Sequence, residues 1–548
     1  MYLFTVFIVA LLLTIALIPV VKSMAFKMNI VDVPNSRKVH VLPMPKSGGI
    51  SIAIGALVPV LLWVPRTGFL SAVLLGSGII VVGGIIDDIK ELGYKPKLAA
   101  QVAAALVVIF YGKVTIGALG ALAPAGFVLT GVLSFGLTLF VIVGVTNAIN
   151  LSDGLDGLAG GISMLSFVAI AFLAYRSGNT VISIMSVAVI GAIFGFLRFN
   201  THPAVIFMGD AGSQLLGFLS VTFALALTQA NTPYSRLLPL LLIGFPILDT
   251  LTVMLERIAK GKSPFVADKR HFHHRLMSLG LYHSEAVLVI YILQAIFIAF
   301  AFVFRFYSEW VHLLFFVVFA GVIIGGFALA ALKGWEFRRG EVFDTAIKGR
   351  LRVLKEKKIF IKISFNSLKV GLPLLFFFQV FVPQKLPQYI PAVAGGLMVL
   401  IIGVRYFRKE YRVMVLRMAL YLTIPVLLYF SEVESADWIR HSWVDLLELN
   451  RAGFLVVLFA GIVTINLTKR QNGFKITPMD LLVFIVVLVF PHLPSAQCQS
   501  IEVGMTVAKA LVLFFSYDIL IGELRGENTF IEITTLATLL AVVVTGML

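Results

Sequence analysis

The chain has 548 residues and a formal net charge of +16, and it is 59% hydrophobic but only 13% charged, with a mean hydropathy of +1.00. Soluble globular domains hold about 45–50% apolar and about 25% charged residues, so this composition excludes them and predicts an all-α, polytopic membrane protein. A single cysteine, Cys498, excludes an intramolecular disulfide and argues against a thiolate metal site.

A spanning helix takes about 20 mostly apolar residues. Such runs are predicted at 2–21, 48–64, 69–86, 98–112, 127–147, 157–175, 180–197, 212–229, 237–255, 286–304 and 311–332. The first has no basic segment before it and no small-residue cleavage pattern after it, so it reads as a retained first helix. These runs make a core of about 11 transmembrane helices over residues 1–332. The basic stretch 333–369 reads as a cytoplasmic or interfacial linker attracted to anionic lipid. Roughly seven further segments, at 370–383, 390–404, 413–430, 452–467, 478–490, 503–521 and 531–547, make a C-terminal membrane region over 370–548.

Short loops rich in Lys and Arg stay cytoplasmic. Lys22, Lys27, Arg37, Lys38 and Lys46 follow the first run, Lys90, Lys95 and Lys97 the third, and Arg257, Lys260, Lys262, Lys269, Arg270 and Arg275 the ninth. The exits of the odd-numbered runs are therefore expected inside. The positive charge then implies membrane lipid and phosphate as partners, and no nucleic acid, since no soluble basic domain exists to hold a duplex.

Four polar clusters fall at ends of runs that this topology places on one face. Asp87 and Asp88 repel each other unless a cation or cationic group compensates, which points to metal binding or proton transfer. For one such residue at a helix end a solvated boundary position is an equal reading. In the second cluster, Asn147-Ala-Ile-Asn150-Leu-Ser-Asp153-Gly-Leu-Asp156-Gly, Asn147 and Asn150, like Asp153 and Asp156, would share a face if helical. Helix packing explains the glycines there but not the four polar residues. Asp210, in Phe207-Met-Gly-Asp-Ala-Gly-Ser213, could cap the next helix or hold Mg²⁺ together with phosphate oxygens. Three imidazoles and three fixed cations crowd into Asp268-Lys-Arg-His271-Phe-His273-His274-Arg275. That crowding disfavours Zn²⁺ and favours a phosphate and nucleotide clamp, a solvated basic loop being the plainer alternative.

Five motifs follow one another in order. They are Asp32-Val-Pro-Asn-Ser-Arg-Lys-Val-His40 with Pro43-Met-Pro-Lys-Ser-Gly-Gly49; Gly84-Ile-Ile-Asp-Asp88 with Lys95-Pro-Lys-Leu-Ala-Ala-Gln101; Asn147 to Gly161; Asn200 to Gly212; and the histidine segment. In these the first 332 or so residues resemble the polyprenyl-phosphate N-acetylhexosamine-1-phosphate transferases of glycosyltransferase family 4, relatives of the phospho-N-acetylmuramoyl-pentapeptide transferase. The resemblance implies transfer of an N-acetylhexosamine 1-phosphate from a UDP-N-acetylhexosamine to polyprenyl (undecaprenyl) phosphate, giving lipid-pyrophosphate-sugar and UMP and starting a cell-envelope polysaccharide. It implies a bacterial inner membrane, with the active site at its cytoplasmic face.

By the same resemblance Asp210 is the ligand of Mg²⁺, for which Mn²⁺ can substitute. Asp87 and Asp88 are the acidic pair, with Asp87 as acceptor of the lipid phosphate proton. Asp153 and Asp156 form the central catalytic cluster with His273. Asn200 and Phe207 hold uridine, and Lys97 and His274 contact phosphate. Lys38 and His40 are carried over from a more loosely aligned loop, and Asn147, Asn150, His271 and Arg275 complete the substrate-binding set. The form Ser263-Pro-Phe-Val-Ala-Asp-Lys-Arg-His-Phe-His-His-Arg-Leu-Met-Ser-Leu-Gly280 is similar to N-acetylglucosamine-type enzymes, which favours UDP-N-acetylglucosamine as donor. A polytopic transporter or flippase of lipid-linked saccharides is the rival reading, although transporter sites lie near the midplane rather than at helix ends. A lipid phosphatase would want a nucleophile with acid histidines, and no serine-glycine-histidine segment occurs. A homo-oligomer stays open.

Overall fold

Long apolar runs interrupted by Gly, Pro and charged residues fold as helices in the computed structural model, because only intrachain hydrogen bonds can satisfy the backbone away from water. The structure describes residues 2–32, 43–90, 92–124, 126–230, 232–261, 271–334, 358–383, 386–387, 389–407, 412–433, 446–467 and 528–547, with short pieces between 509 and 521. Among these, ten helices are long and apolar enough to cross a membrane. The protein is an all-α polytopic membrane protein. It divides into two compact units, the first holding the described residues up to Gly334 and the second those from Lys358 onward.

The first unit contains α1 (Tyr2–Lys27), α2 (Gly48–Trp63), α3 (Gly68–Lys90), α4 (Tyr94–Phe110), α5 (Gly131–Leu151), α6 (Leu158–Arg176), α7 (Thr180–Asn200), α8 (Gly209–Thr228), α9 (Leu238–Leu242), α10 (Gly244–Ala259), α11 (Phe272–Ser278), α12 (His283–Val303) and α13 (Glu309–Leu332). Two short strands, β1 (Val31–Asp32) and β2 (Met44–Pro45), pair antiparallel with Val31 opposite Pro45. Helix α8 is the axis. It packs against α2, α3, α5 and α6 and is buried along nearly its whole length.

The predicted runs differ from the helices in three informative ways. The ninth run is broken into α9 and α10 around Ile243. Helices α2 and α4 are 16 and 17 residues long, shorter than a full crossing. The eighth helix starts at Gly209 rather than 212, which brings Asp210 into its first turn.

Close approach at the start of α8 depends on glycine. A Cβ on Gly84 of α3 would lie 2.4 Å from the Ala211 Cα, and one on Gly49 of α2 would lie 2.2 Å from the Gly212 nitrogen. Larger residues at either point would push α3 or α2 away and carry their polar ends with them. Backbone bonds from Phe207 N–H to Pro45 O (2.8 Å), Gly48 N–H to Phe207 O (2.9 Å) and Gly49 N–H to Met208 O (2.8 Å) lace the turn before α8 to the β2–α2 junction.

The second unit contains α14 (Lys358–Phe378), α15 (Tyr389–Phe407), α16 (Arg412–Val433), α17 (Leu446–Leu467) and α18 (Thr529–Met547). Helix α14 packs on α17 and α18, and α15 on α16 and α18, around Leu368, Leu372, Phe376, Leu420 and Leu539. Polar side chains pair between its helices. Gln379 Nε2 donates to Asn450 Oδ1 at 2.8 Å, and the Arg412 guanidinium forks onto the Glu532 carboxylate at 2.9 and 2.6 Å. Helix α14 begins at Lys358, so the last part of the predicted linker 333–369 is helical, while 335–357 and the predicted segment 478–490 lie outside the described residues.

Candidate active site

The chain brings the end of α3, the start of α4, the end of α5 and the start of α8 to one end of the first unit. There Lys97 Nζ lies 2.7 Å from Asp87 Oδ2 and 2.8 Å from Asp210 Oδ2. Asn150 Nδ2 donates to the other Asp210 oxygen at 2.6 Å and to Ser213 Oγ at 2.8 Å. One ammonium thus bridges two carboxylates from different helices. Asp87 is 3% exposed, and its second oxygen, Oδ1, is buried without a hydrogen-bond partner.

Asp88 does different work. Its carboxylate accepts the backbone N–H groups of Asp210 (2.9 Å) and Ala211 (3.2 Å), so it caps α8 from the neighbouring helix. Asp210 is therefore not the cap, which leaves its own carboxylate for the cluster. Gly209, with φ +73°, makes the turn into the helix.

A polar ladder runs from this cluster into the bundle. Gln101, one turn beyond Lys97, donates through Nε2 to Gln214 Oε1 (3.0 Å) and Asn147 Oδ1 (3.3 Å), and Asn147 Nδ2 donates back to Gln101 Oε1 at 2.5 Å. Gln101 and Gln214 lie one turn after Lys97 and Asp210. That i, i+4 spacing was the available signal for both, although sequence reasoning picked out neither as a site residue.

Asn147 and Asn150 lie in α5, but the helix ends at Leu151, so Asp153 and Asp156 sit in a glycine-containing turn and not on a shared helical face. Burial, and then the carboxylates of Asp210, Asp88 and Asp156, push the Asp153 carboxyl up to about 7. Asp156 points elsewhere. Its Oδ2 accepts from the Ala204 N–H (3.1 Å) and meets His202 Nδ1 at 2.8 Å. Burial opposes its ionisation, yet His202, the Ala204 N–H and His283 hold the carboxyl below its usual range. Asp156, His202 and His283 bring ligand-type atoms within 4.8 Å of one another. His283 Nε2 accepts the Asp156 N–H at 3.1 Å and its ring stacks on His202, while its buried Nδ1 has no hydrogen-bond partner among the described residues.

Asn200 is 3% exposed, and its side chain is consumed internally. Its Oδ1 accepts the Gly157 N–H at 3.0 Å, and its Nδ2 donates to Ile206 O at 2.9 Å. It staples the Asp153 turn to the segment leading to Phe207 and α8, helped by Tyr291, whose hydroxyl donates to Gly157 O at 2.7 Å. The geometry gives Asn200 a positioning place in this structure, between the Asp153 turn and the residue before Phe207.

The histidines reach the same turn. A Cβ on Gly154 would lie 2.5 Å from His273 Nε2, so the imidazole packs on the backbone beside Asp153. Burial, and then the neighbouring imidazoles His274, His271 and His283, lower His273 to about 3, which leaves it neutral: it offers a hydrogen bond rather than a charge. His271 stacks parallel to His273 at 5.9 Å, and His274 tilts against it at 4.2 Å. Arg275 pairs with Glu256 of α10 at 2.7 Å and lies over Phe272. Lys38, His40 and the segment 262–270 lie outside the described residues.

The donors at the α8 end fit a hard divalent cation. Two carboxylates converge on a position that a cation, the Lys97 ammonium, already shares, and one buried Asp87 oxygen still has no partner. Residues 70–228, which carry Asp87, Asp88, Lys97, the Asp153 turn and Asp210, match the model of glycosyl transferase family 4. A probable undecaprenyl-phosphate N-acetylglucosaminyl 1-phosphate transferase of Bacillus subtilis is 40% identical over 320 residues, 58% of this chain and 88% of that protein. The chain belongs to glycosyl transferase family 4. Family relatives named undecaprenyl-phosphate alpha-N-acetylglucosaminyl 1-phosphate transferase in Escherichia coli K12 and decaprenyl-phosphate N-acetylglucosaminephosphotransferase in Mycolicibacterium smegmatis are 32% and 37% identical. The alignments cover 60% and 50% of this chain and 90% and 74% of those relatives. A large share of this family member therefore has no counterpart in them.

Proposed function

We propose that residues 1–332 transfer N-acetylglucosamine 1-phosphate from UDP-N-acetylglucosamine to polyprenyl phosphate, releasing UMP and starting an envelope polysaccharide at the cytoplasmic face of the bacterial inner membrane. The observation that carries this reading is the Lys97 ammonium held between Asp87 and Asp210 at the buried start of α8, beside a turn carrying Asp153. Relatives named for this transfer align over most of their length. A lipid phosphate oxygen attacks the β-phosphorus, a new P–O bond forms, and the bond from that phosphorus to the UMP oxygen breaks.

Two anions must meet, so the site has to offset charge while keeping water out. Lys97 supplies a fixed cation, and when Mg²⁺ is bound by Asp210 and Asp87 it supplies further neutralisation of the diphosphate. Asp87 can take the acceptor's proton, although a phosphate near neutral pH is already largely ionised and orientation then matters more than proton removal. Neutral His273 offers a hydrogen bond beside the Asp153 turn, and the Lys97–Asp210 pair keeps the donor groups aimed without rearrangement. We place the role of residues 370–548 after the transfer, in handling the lipid-linked sugar.

The test is exchange. Membranes holding the full chain are incubated with UDP-N-acetylglucosamine, polyprenyl phosphate and Mg²⁺, with labelled UMP added. Label should enter the sugar nucleotide and should cease to do so with a chelator. Movement of a preformed lipid-linked saccharide across the membrane without any exchange would favour a flippase instead.

A further inference from the structure

Asp249 is not among the site residues described above, and no motif along the chain includes it. It sits in the apolar first half of α10, is 2% exposed, and would be costly to bury unpaired. Its two oxygens are both used on the histidine segment: Oδ2 lies 2.9 Å from His271 Nδ1, and Oδ1 accepts the Phe272 N–H at 2.8 Å. An ionised carboxylate can only accept, so the shared proton belongs to His271 Nδ1. The ring atom left for a ligand is then Nε2. Behind this clamp the rings of His271 and His273 lie 7° from parallel, and His273 rests on Gly154 next to Asp153. One buried carboxylate therefore sets both the tautomer of His271 and the start of the helix that carries His273 and His274.

We propose that Asp249 is a positioning residue of the transfer reaction, which holds His271 so that Nε2 serves the diphosphate of the sugar nucleotide. This rests on the transferase reading above. The carboxylate touches no substrate and acts through His271, the arrangement by which a buried acid orients an imidazole in other catalytic sites.

Asp249→Asn separates this role from packing. The amide keeps size and one acceptor for the Phe272 N–H, but it turns an NH₂ toward Nδ1, so neutral His271 must carry its proton on Nε2 and loses its charged partner. In the full chain, assayed beside wild type by UMP release, kcat should fall at least about tenfold while KM for UDP-N-acetylglucosamine stays within about twofold. The melting temperature in detergent should hold. In a His271→Ala background the same Asp249→Asn change should cost less than about twofold, because its route of action is gone. A wild-type kcat in Asp249→Asn, or an equal loss with and without His271, overturns the proposal. Wild-type protein that releases no UMP would sink the transferase reading and this role with it, whereas active wild type beside an equally active variant sinks this role alone.

Discussion

Two buried carboxylates in the first unit, at opposite ends of its helices, are held in opposite ways. Glu309, 7% exposed at the start of α13, accepts the Ala121 N–H at 2.7 Å, the Arg236 N–H at 2.9 Å and the Ser235 hydroxyl at 3.2 Å. The first two of these donors are fixed backbone, and they come from the two loops that close that end. Asp87, 3% exposed, has one oxygen on the ammonium of Lys97 and the other without a hydrogen-bond partner. Burial alone does not separate function from architecture. What separates them is whether donors take up both carboxylate oxygens, as at Glu309 and in the Arg412–Glu532 fork of the second unit, or leave one without a partner, as at Asp87.

The largest expected effect comes from the open end. Asp210→Asn removes a charge on which Lys97 and Asn150 both converge, so UMP release should fall about 10³-fold, the scale for losing one preorganised electrostatic group. Helix α8 should still start correctly because Asp88, not Asp210, caps it, and the melting temperature should barely move. Full activity in Asp210→Asn would remove Asp210 from the chemistry.

Asp153 sharpens the contrast through pH. Its carboxyl is raised from 3.8 to about 7, so the folded protein binds this proton more tightly than the unfolded chain does. Stability that depends on that proton is present below pH 4 and is lost as pH rises toward 7. With a chelator present, the melting temperature of wild type should therefore decline across this window more steeply than that of Asp153→Asn. If ionised Asp153 is the working form, wild-type turnover should also show an acid limb near pH 7. Asp153→Asn should lose about 10²-fold in rate and show no such limb. Parallel melting profiles would mean that its neighbours do not crowd Asp153 as the structure shows them doing.

The fold class was legible because an apolar run of sufficient length has few alternatives to a helix. Helix ends were less so: Asp210 falls within the first turn of α8 because the helix is capped from α3, and Asp88 lies far away in the chain. The site was legible where polar residues cluster locally, as at Asp87-Asp88, Asn147 to Asp156 and the histidines. It was illegible where the partner is a single residue inside an apolar run or on another element, as with Asp249, Gln214, Tyr291 and His283. Asp249 did carry one signal, an acid within a hydrophobic stretch, but no spacing tied it to His271. Nor could the sequence reveal that Asn200 would be consumed as a staple, since an asparagine beside a loop reads equally well as a ligand contact.

Glu309→Gln probes the closed end and should have the smallest effect on chemistry. Glutamine offers one acceptor oxygen and an NH₂, so it can serve the Ser235 and Arg236 donors or the Ala121 N–H, but not both sets. One side then faces donor against donor. The cost should be about 2 kcal/mol of stability, the scale for a charged acceptor lost from buried donors, and it should appear as a lower melting temperature. Trp310 still ties its Nε1–H to Ala121 O at 2.9 Å, which limits how far that loop can drift. Turnover per folded molecule should match wild type, because the helices that carry Lys97, Asn150 and Asp210 are fixed by their own ladder at the other end. A loss of turnover approaching that of Asp210→Asn, in protein that remains folded, would show that the two ends are coupled and that satisfied valence is a poor guide to which carboxylates work.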